Sequence, residues 1–174
     1  LAQAKVNVDK FEENYGTAHV SAEDAAFFKR VAATPAGPAK MLALGEDWCP
    51  DVYRGLPVLA RIAEASGIEL RAFPRDKNLD VMHEFLNQGQ FLSIPVAVFY
   101  TKDMGYIAHW TERPAFANTE RAQITDRVKK DLPAASDEAL RAETRKRTTA
   151  RYPVWQQETV KELRQLLARL PGVS

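Results

Sequence analysis

Cys49 is the only thiol in a chain of 174 residues, and it stands in the run Glu46-Asp47-Trp48-Cys49-Pro50-Asp51-Val52, with Pro57 eight residues beyond it. A thiol attacks only as its thiolate, and the thiolate is favoured where the unpaired N–H groups and dipole of a helix N-terminus meet a negative charge. The flanking residues predict such a place. Lys40-Met41-Leu42-Ala43-Leu44 reads as a short buried strand, and Val52, Leu56, Leu59, Ile62 and Ala63 recur at helical spacing. The chain therefore passes from strand through a tight turn into a helix that opens at the cysteine. The chemistry open to a lone thiol there is exchange with a disulfide through a mixed-disulfide intermediate.

Two influences oppose each other at this thiol. An exposed helix terminus contributes about 0.3 to 1 kcal/mol, which is less than one pKa unit at about 1.36 kcal/mol per unit. Glu46, Asp47 and Asp51 are like charges that disfavour a thiolate, unless Arg54 or an arginine of the tail neutralises them. The expected result is a moderately reactive thiol rather than a strongly acidic one. The bland alternative is an inert, half-buried cysteine, since free cysteines commonly behave as small hydrophobes. Pro50, preset for a first helical turn, explains itself as helix initiation, and Pro57 is expected to kink the helix.

The elements on either side follow from local patterns. Helices are expected from Val6 to about Tyr15 and from Ser21 to Ala33, the second with Ser21 as cap and an acidic first turn, before the linker Thr34-Pro35-Ala36-Gly37-Pro38. After the motif helix ends near Ser66-Gly67, Ile68 to Phe73 alternates as a strand. The loop Pro74-Arg75-Asp76-Lys77-Asn78 leads into a helix from Leu79 to Leu86. Val96 to Tyr100 and Tyr106 to Trp110 flank a hairpin turn at 101–105, which gives a β-α-β-α-β-β order.

The segment from Met41 to Trp110 resembles the thioredoxin superfamily, in which Trp-Cys-x-x-Cys opens a helix with a proline eight residues past the first cysteine. Ser93-Ile94-Pro95 before the run Val96-Ala97-Val98-Phe99-Tyr100 looks like the family's cis-proline loop entering a central strand. Glu-Asp-Trp-Cys together with Pro-Arg-Asp-Lys-Asn looks closer to small bacterial thioredoxin-like proteins than to thioredoxin itself. The resemblance implies an α/β, thioredoxin-like fold with a mixed four-stranded sheet. It also implies a groove in which the backbone of Ile94, freed by a cis Pro95, pairs with an extended peptide or a glutathione-like thiol beside Cys49. Trp48, Pro50 and Asp51 would flank that groove, with Trp48 as a wall. Two departures follow from the same resemblance. Val52 stands where the family has its resolving cysteine, which closes the dithiol cycle, and Ala43 stands where thioredoxin has a buried aspartate that moves protons.

Composition fits a single domain of residues 1–174: N-terminal helices at 1–38, a thioredoxin-like core at 39–117 and a helical extension at 118–174. Charge is nearly balanced, 24 basic against 23 acidic residues, which excludes an overall electrostatic grip on nucleic acid. Residues 119–174 are nevertheless basic, 12 against 8. One cysteine excludes a disulfide framework and any cysteine-based zinc site within the chain. His83 and His109 are read as surface or packing residues, so neither metal nor cofactor is expected. No apolar run approaches the roughly 20 residues of a membrane span. A cytoplasmic location is expected; the first residues lack a signal peptide's apolar core, although a leader before Leu1 stays open because the chain begins without Met.

In the tail, helices are expected from Asn118 to Lys130, from Ser136 onward and after Pro153. Trp155, Thr159, Val160, Leu163, Leu166, Leu167 and Leu170 form one apolar stripe that folds back on the N-terminal helices and sheet or forms a homodimer surface. The run Arg145-Lys146-Arg147 reads first as a solvated face. Three functions fit the sequence. The first is a monothiol oxidoreductase whose partner is a protein disulfide or a low-molecular-weight thiol such as glutathione. The second is a redox-inactive binding or scaffold protein using the proline groove and the tail. The third is a thiol sensor in which Cys49 bridges two chains.

Overall fold

In the computed structural model, residues 4–170 are described. Helices α1 (Val8–Thr17) and α2 (Ala22–Ala32) precede β1 (Lys40–Gly45), α3 (Pro50–Ser66) and β2 (Glu69–Pro74). A short α4 (Leu79–Met82), β3 (Val96–Tyr100) and β4 (Tyr106–Thr111) complete the core, and α5 (Ala115–Asp131), α6 (Asp137–Thr149) and α7 (Tyr152–Leu167) form the tail. The sheet has the order β2-β1-β3-β4, with β1 and β2 parallel and the other neighbours antiparallel. This is the mixed four-stranded α/β architecture that the resemblance implied.

Strand β1 lies inside the sheet and presents Met41 and Ala43 to one face and Leu44 to the other, all buried. On the first face Ala97 and Phe99 join Val58, Leu59 and Ile62 of α3, Phe28 and Val31 of α2, and Leu163 and Leu167 of α7. On the second face Val96 and Val98 meet Met82 and Phe85. Full burial of one such side chain contributes about 1.5 to 3 kcal/mol. The apolar stripe of the tail is consumed here, because Trp155, Thr159, Val160, Leu163 and Leu167 are buried within the chain. The stripe is therefore occupied by the chain's own helices and sheet, and it does not offer these residues to a second copy. Arg164 fastens the same helix to α2 through Glu23 and Asp24, at 2.8 and 2.7 Å.

The sequence-based boundaries need three corrections. Leu79 to Leu86 is not one helix: a single α-turn ends at Met82 and a 3-10 turn follows over His83–Phe85. Only Met82 and Phe85 of these two turns are buried, and their spacing of three suits the tighter 3-10 geometry. Helix α1 starts two residues later than expected and runs to Thr17, after Asn7 at φ 55. Helix α5 starts at Ala115 rather than Asn118, with Pro114 as its N-cap in extended conformation and its carbonyl accepting from the Ala117 and Asn118 N–H groups. The N-terminal reading at Leu1 to Gln3 lies outside the described residues. Among those described, no helix is long and apolar enough to cross a membrane.

Candidate functional site

Gly45 ends β1, and the turn that follows closes with the Cys49 N–H donating to the Glu46 carbonyl at 3.1 Å. Cys49 is the N-cap of α3, with extended backbone at φ −85 and ψ 125, and its carbonyl accepts from the Val52 and Tyr53 N–H groups. Pro50 takes the first helical position and is exposed, where its missing N–H costs nothing. Gly45 is required by its neighbour: a Cβ there would lie 2.8 Å from Cγ1 of Val52.

The loop before β3 supplies the facing wall. The Ile94–Pro95 peptide bond is cis, and the half-buried Cys49 directs its S–H at the Ile94 carbonyl oxygen, 3.9 Å away. The Pro95 ring rests against α3 at Gly55, where a Cβ would come within 3.2 Å of the proline Cγ. The side chains of Ile94 and Pro95 are buried, so only the backbone of Ile94 faces the thiol side. Trp48 is 52% exposed beside the cysteine. Arg75, from the turn after β2, stacks on the Trp48 ring at 5.4 Å and donates to the Leu92 carbonyl at 3.0 Å, which joins the two walls.

Burial is the largest influence on the thiol and pushes its pKa above the ordinary cysteine value; the charge of Asp51 acts in the same direction. The N–H groups of Val52 and Asp51 and the charge of Arg113 pull it down without reversing the shift. The thiol is consequently protonated at neutral pH. The sequence sets three carboxylates against the thiolate, with a half-buried cysteine as its bland alternative; burial proves to be the larger influence. Two of those carboxylates are engaged elsewhere. Asp47 accepts from the N–H groups of Lys5 and Val6, and Glu46 accepts from the Asp76 N–H.

Asp51 is held in a cluster. Arg54 Nη2 donates to Asp51 at 3.2 Å and to the Glu112 carbonyl at 3.3 Å, and Arg113 binds both oxygens of the same carboxylate. Arg54 is 0% exposed, lies 5.7 Å from the Trp155 ring, and has Nε and Nη1 without a hydrogen-bond partner among the described residues. For Arg113, burial alone would lower the pKa, but the hydrogen bond and charge of Asp51, with Glu112, raise it. Asp51 is therefore a clamp between elements. Arg113, which follows β4, gave no signal in the sequence, because its contact to Asp51 spans 62 positions.

Behind the motif lies a cavity of about 630 Å³ lined by Ala43, Leu44, Val52, Phe73 and Pro95, with Lys5 and Lys77 also on its wall. Ala43 and Val52, the two departures from the expected pattern, thus line the same cavity, whose wall also carries Glu46 and Asp47. Among the described residues no group of histidine, cysteine, aspartate and glutamate is placed to hold a metal. His109 is used in packing: its Nδ1 is 2.8 Å from the Tyr106 hydroxyl and its ring lies 5.3 Å from Phe85.

A family model described as thioredoxin matches residues 1–125. The chain belongs to the thioredoxin-like superfamily. Among curated proteins none matches. Of solved structures, a protein of unknown function from Pseudomonas aeruginosa, PA1234, is similar at 16% identity and a TM-score of 0.57, over 92% of this chain and 81% of that one. An HIV epitope-scaffold protein is similar at 14% identity and a TM-score of 0.60, over 94% and 83%. At these identities the likeness concerns the fold. This thioredoxin-like chain has a single cysteine, Cys49.

Proposed function

We propose that this protein is a monothiol thiol–disulfide oxidoreductase. The Cys49 thiol first gives up its proton to solvent; its thiolate attacks one sulfur of a disulfide, the Cys49–sulfur bond forms, the substrate's sulfur–sulfur bond breaks, and the departing thiolate takes up a proton from solvent. Val52 cannot resolve the product, so an external low-molecular-weight thiol attacks the mixed disulfide and returns Cys49 to its reduced form. The observation that carries this reading is the position of the sulfur at the helix N-cap, half-exposed and 3.9 Å from the Ile94 carbonyl in the loop of the cis proline. The partner backbone would pair with Ile94, with Trp48 flanking it. The test is mass spectrometry after treatment with oxidised glutathione: a rapid adduct at Cys49, reversed by dithiothreitol, supports it. No adduct on the folded protein, with one forming after denaturation, sinks it.

The raised thiol pKa and the cavity at Ala43 and Val52 favour a second reading, in which the groove binds a peptide or subunit without thiol chemistry. Under that reading Cys49→Ser leaves binding intact, whereas under the first it abolishes the activity.

A further inference from the structure

Strand β2 closes one end of the sheet and pairs, among the described residues, with β1 alone. Its Glu69 N–H donates inward to the Ala39 carbonyl at 3.0 Å, so by the alternation of a strand Glu69, Arg71 and Phe73 turn their backbone groups toward β1. Leu70 and Ala72 turn theirs outward, where no strand among the described residues meets them. Open edges of this kind template pairing with another chain and are normally blocked. The blocking charges here have an unusual order. Glu69 and Arg71 carry opposite charges two residues apart on one face, both exposed, and already bond each other at 2.6 Å.

We propose that β2 is a homodimer surface, on which a second copy adds its own β2 antiparallel in the register that puts Leu70 opposite Leu70. In that register the outward Leu70 N–H and carbonyl groups bond across the two-fold axis, and each Ala72 N–H reaches the opposite Ile68 carbonyl. Ile68 spends its own N–H on Ser66 Oγ, at 3.3 Å. Glu69 of one copy then stands directly opposite Arg71 of the other, twice, so the charges that deter foreign strands attract an identical one. A register displaced by two residues, centred on Ala72, removes both of these pairs. The adjoining face leaves room for the partner: beside the edge is a groove of about 380 Å³ lined by Ala60, Ala63, Glu64, Gly67, Ile68 and Leu70. On α3 the small Ala60 and Ala63 let a second copy approach, and Glu64 is already paired with Arg61 of its own chain at 3.3 Å. The product is one continuous eight-stranded sheet, and it leaves Cys49, at the opposite end of α3 from Gly67, uncovered in both copies.

The test is sedimentation equilibrium on the 174-residue chain across a concentration series, with three variants whose folding is checked by circular dichroism. Glu69→Arg puts like charges opposite one another and weakens the dimer on the order of tenfold to a hundredfold. The double variant Glu69→Arg/Arg71→Glu restores it, because the pairs are re-formed with their signs exchanged. Leu70→Pro removes an outward donor and no β1–β2 bond, and yields a folded monomer. A wild-type chain that stays monomeric at every concentration overturns the proposal. So does a dimer that all three variants leave unchanged, or one that the double variant fails to restore.

Discussion

Arg113 grips Asp51 through both Nε and Nη2, so a side chain that follows the last strand is clamped to the first turn of the helix that carries the thiol. The same carboxylate holds Arg54, which has no access to water. One aspartate thus bonds two guanidinium groups, with Glu112 supplying a second carboxylate to Arg113, and the charge of Asp51 reaches Cys49.

Replacing it with asparagine leaves a buried Arg54 without a counter-charge, and breaking a buried pair by removing one partner costs about 3 to 5 kcal/mol. Because Asp51 is 18% exposed, water reduces this, and Asp51→Asn is expected to lose about 2 to 3 kcal/mol in urea denaturation. The same variant lowers the Cys49 pKa, since an opposing charge disappears while Arg113 stays positive. Alkylation rate against pH measures that shift, and an unchanged profile contradicts the coupling.

A thiol whose folded-state pKa is raised binds its proton more tightly in the folded chain than in the unfolded one. Stability from this source is fully present below the unfolded value, about 8.5, and is lost as pH rises through the folded value. Wild type should therefore lose stability relative to Cys49→Ser as pH climbs from about 8.5 upward. Alkylation of Cys49 should keep accelerating over the same interval instead of levelling off. Parallel stability curves for the two proteins would count against the shift.

Val52→Cys restores a second thiol in the first turn of α3. Val52 is buried against Gly45, and the smaller side chain costs about 1 kcal/mol. On mild oxidation the variant should form an intramolecular disulfide with Cys49, read as the loss of two free thiols by titration. Retention of both thiols under conditions that oxidise free dithiols would show that the turn geometry does not bring the sulfurs together.

Gly55 lets the Pro95 ring lie against α3. Gly55→Val drives a branched side chain into a buried ring and should destabilise by about 1 to 3 kcal/mol, although valine is the better helix former. Its thiol should also change in accessibility, measured by alkylation at fixed pH. A stabilised variant would show that the loop moves aside freely.

Leu163→Ala tests the tail. Leu163 is buried in the core shared with α2, α3 and β1, and its truncation should cost about 2 to 5 kcal/mol in a single cooperative transition. A separate early transition would mean that α7 is a loosely docked appendage.

The strand–turn–helix at Cys49 was legible because its signals are local: an apolar run, a proline at the first helical position, and helical spacing after it. The stripe of α7 was legible for the same reason, although its choice between core and interface depended on where α2 and α3 lie. Arg54 was not legible as a core residue, since arginine is almost never fully buried unless paired, and besides the nearby Asp51 it uses the Glu112 carbonyl, 58 positions away. Nor was the burial that governs the thiol, because Cys49 packs on a core cluster that joins Val52 and Tyr53 of its own helix to Leu44 and the distant Ile94. The sequence named Arg54 or an arginine of the tail as the group that quenches the acidic motif; Arg54 does bond Asp51, and the second guanidinium comes from Arg113, ahead of the tail.

Glu112 adopts φ 68, a left-handed conformation, and its N–H donates to the Pro95 carbonyl at 2.6 Å. The hairpin's exit is thereby stapled to the proline loop immediately before α5 departs. One main-chain hydrogen bond thus ties the loop that faces the thiol to the approach of the helical tail.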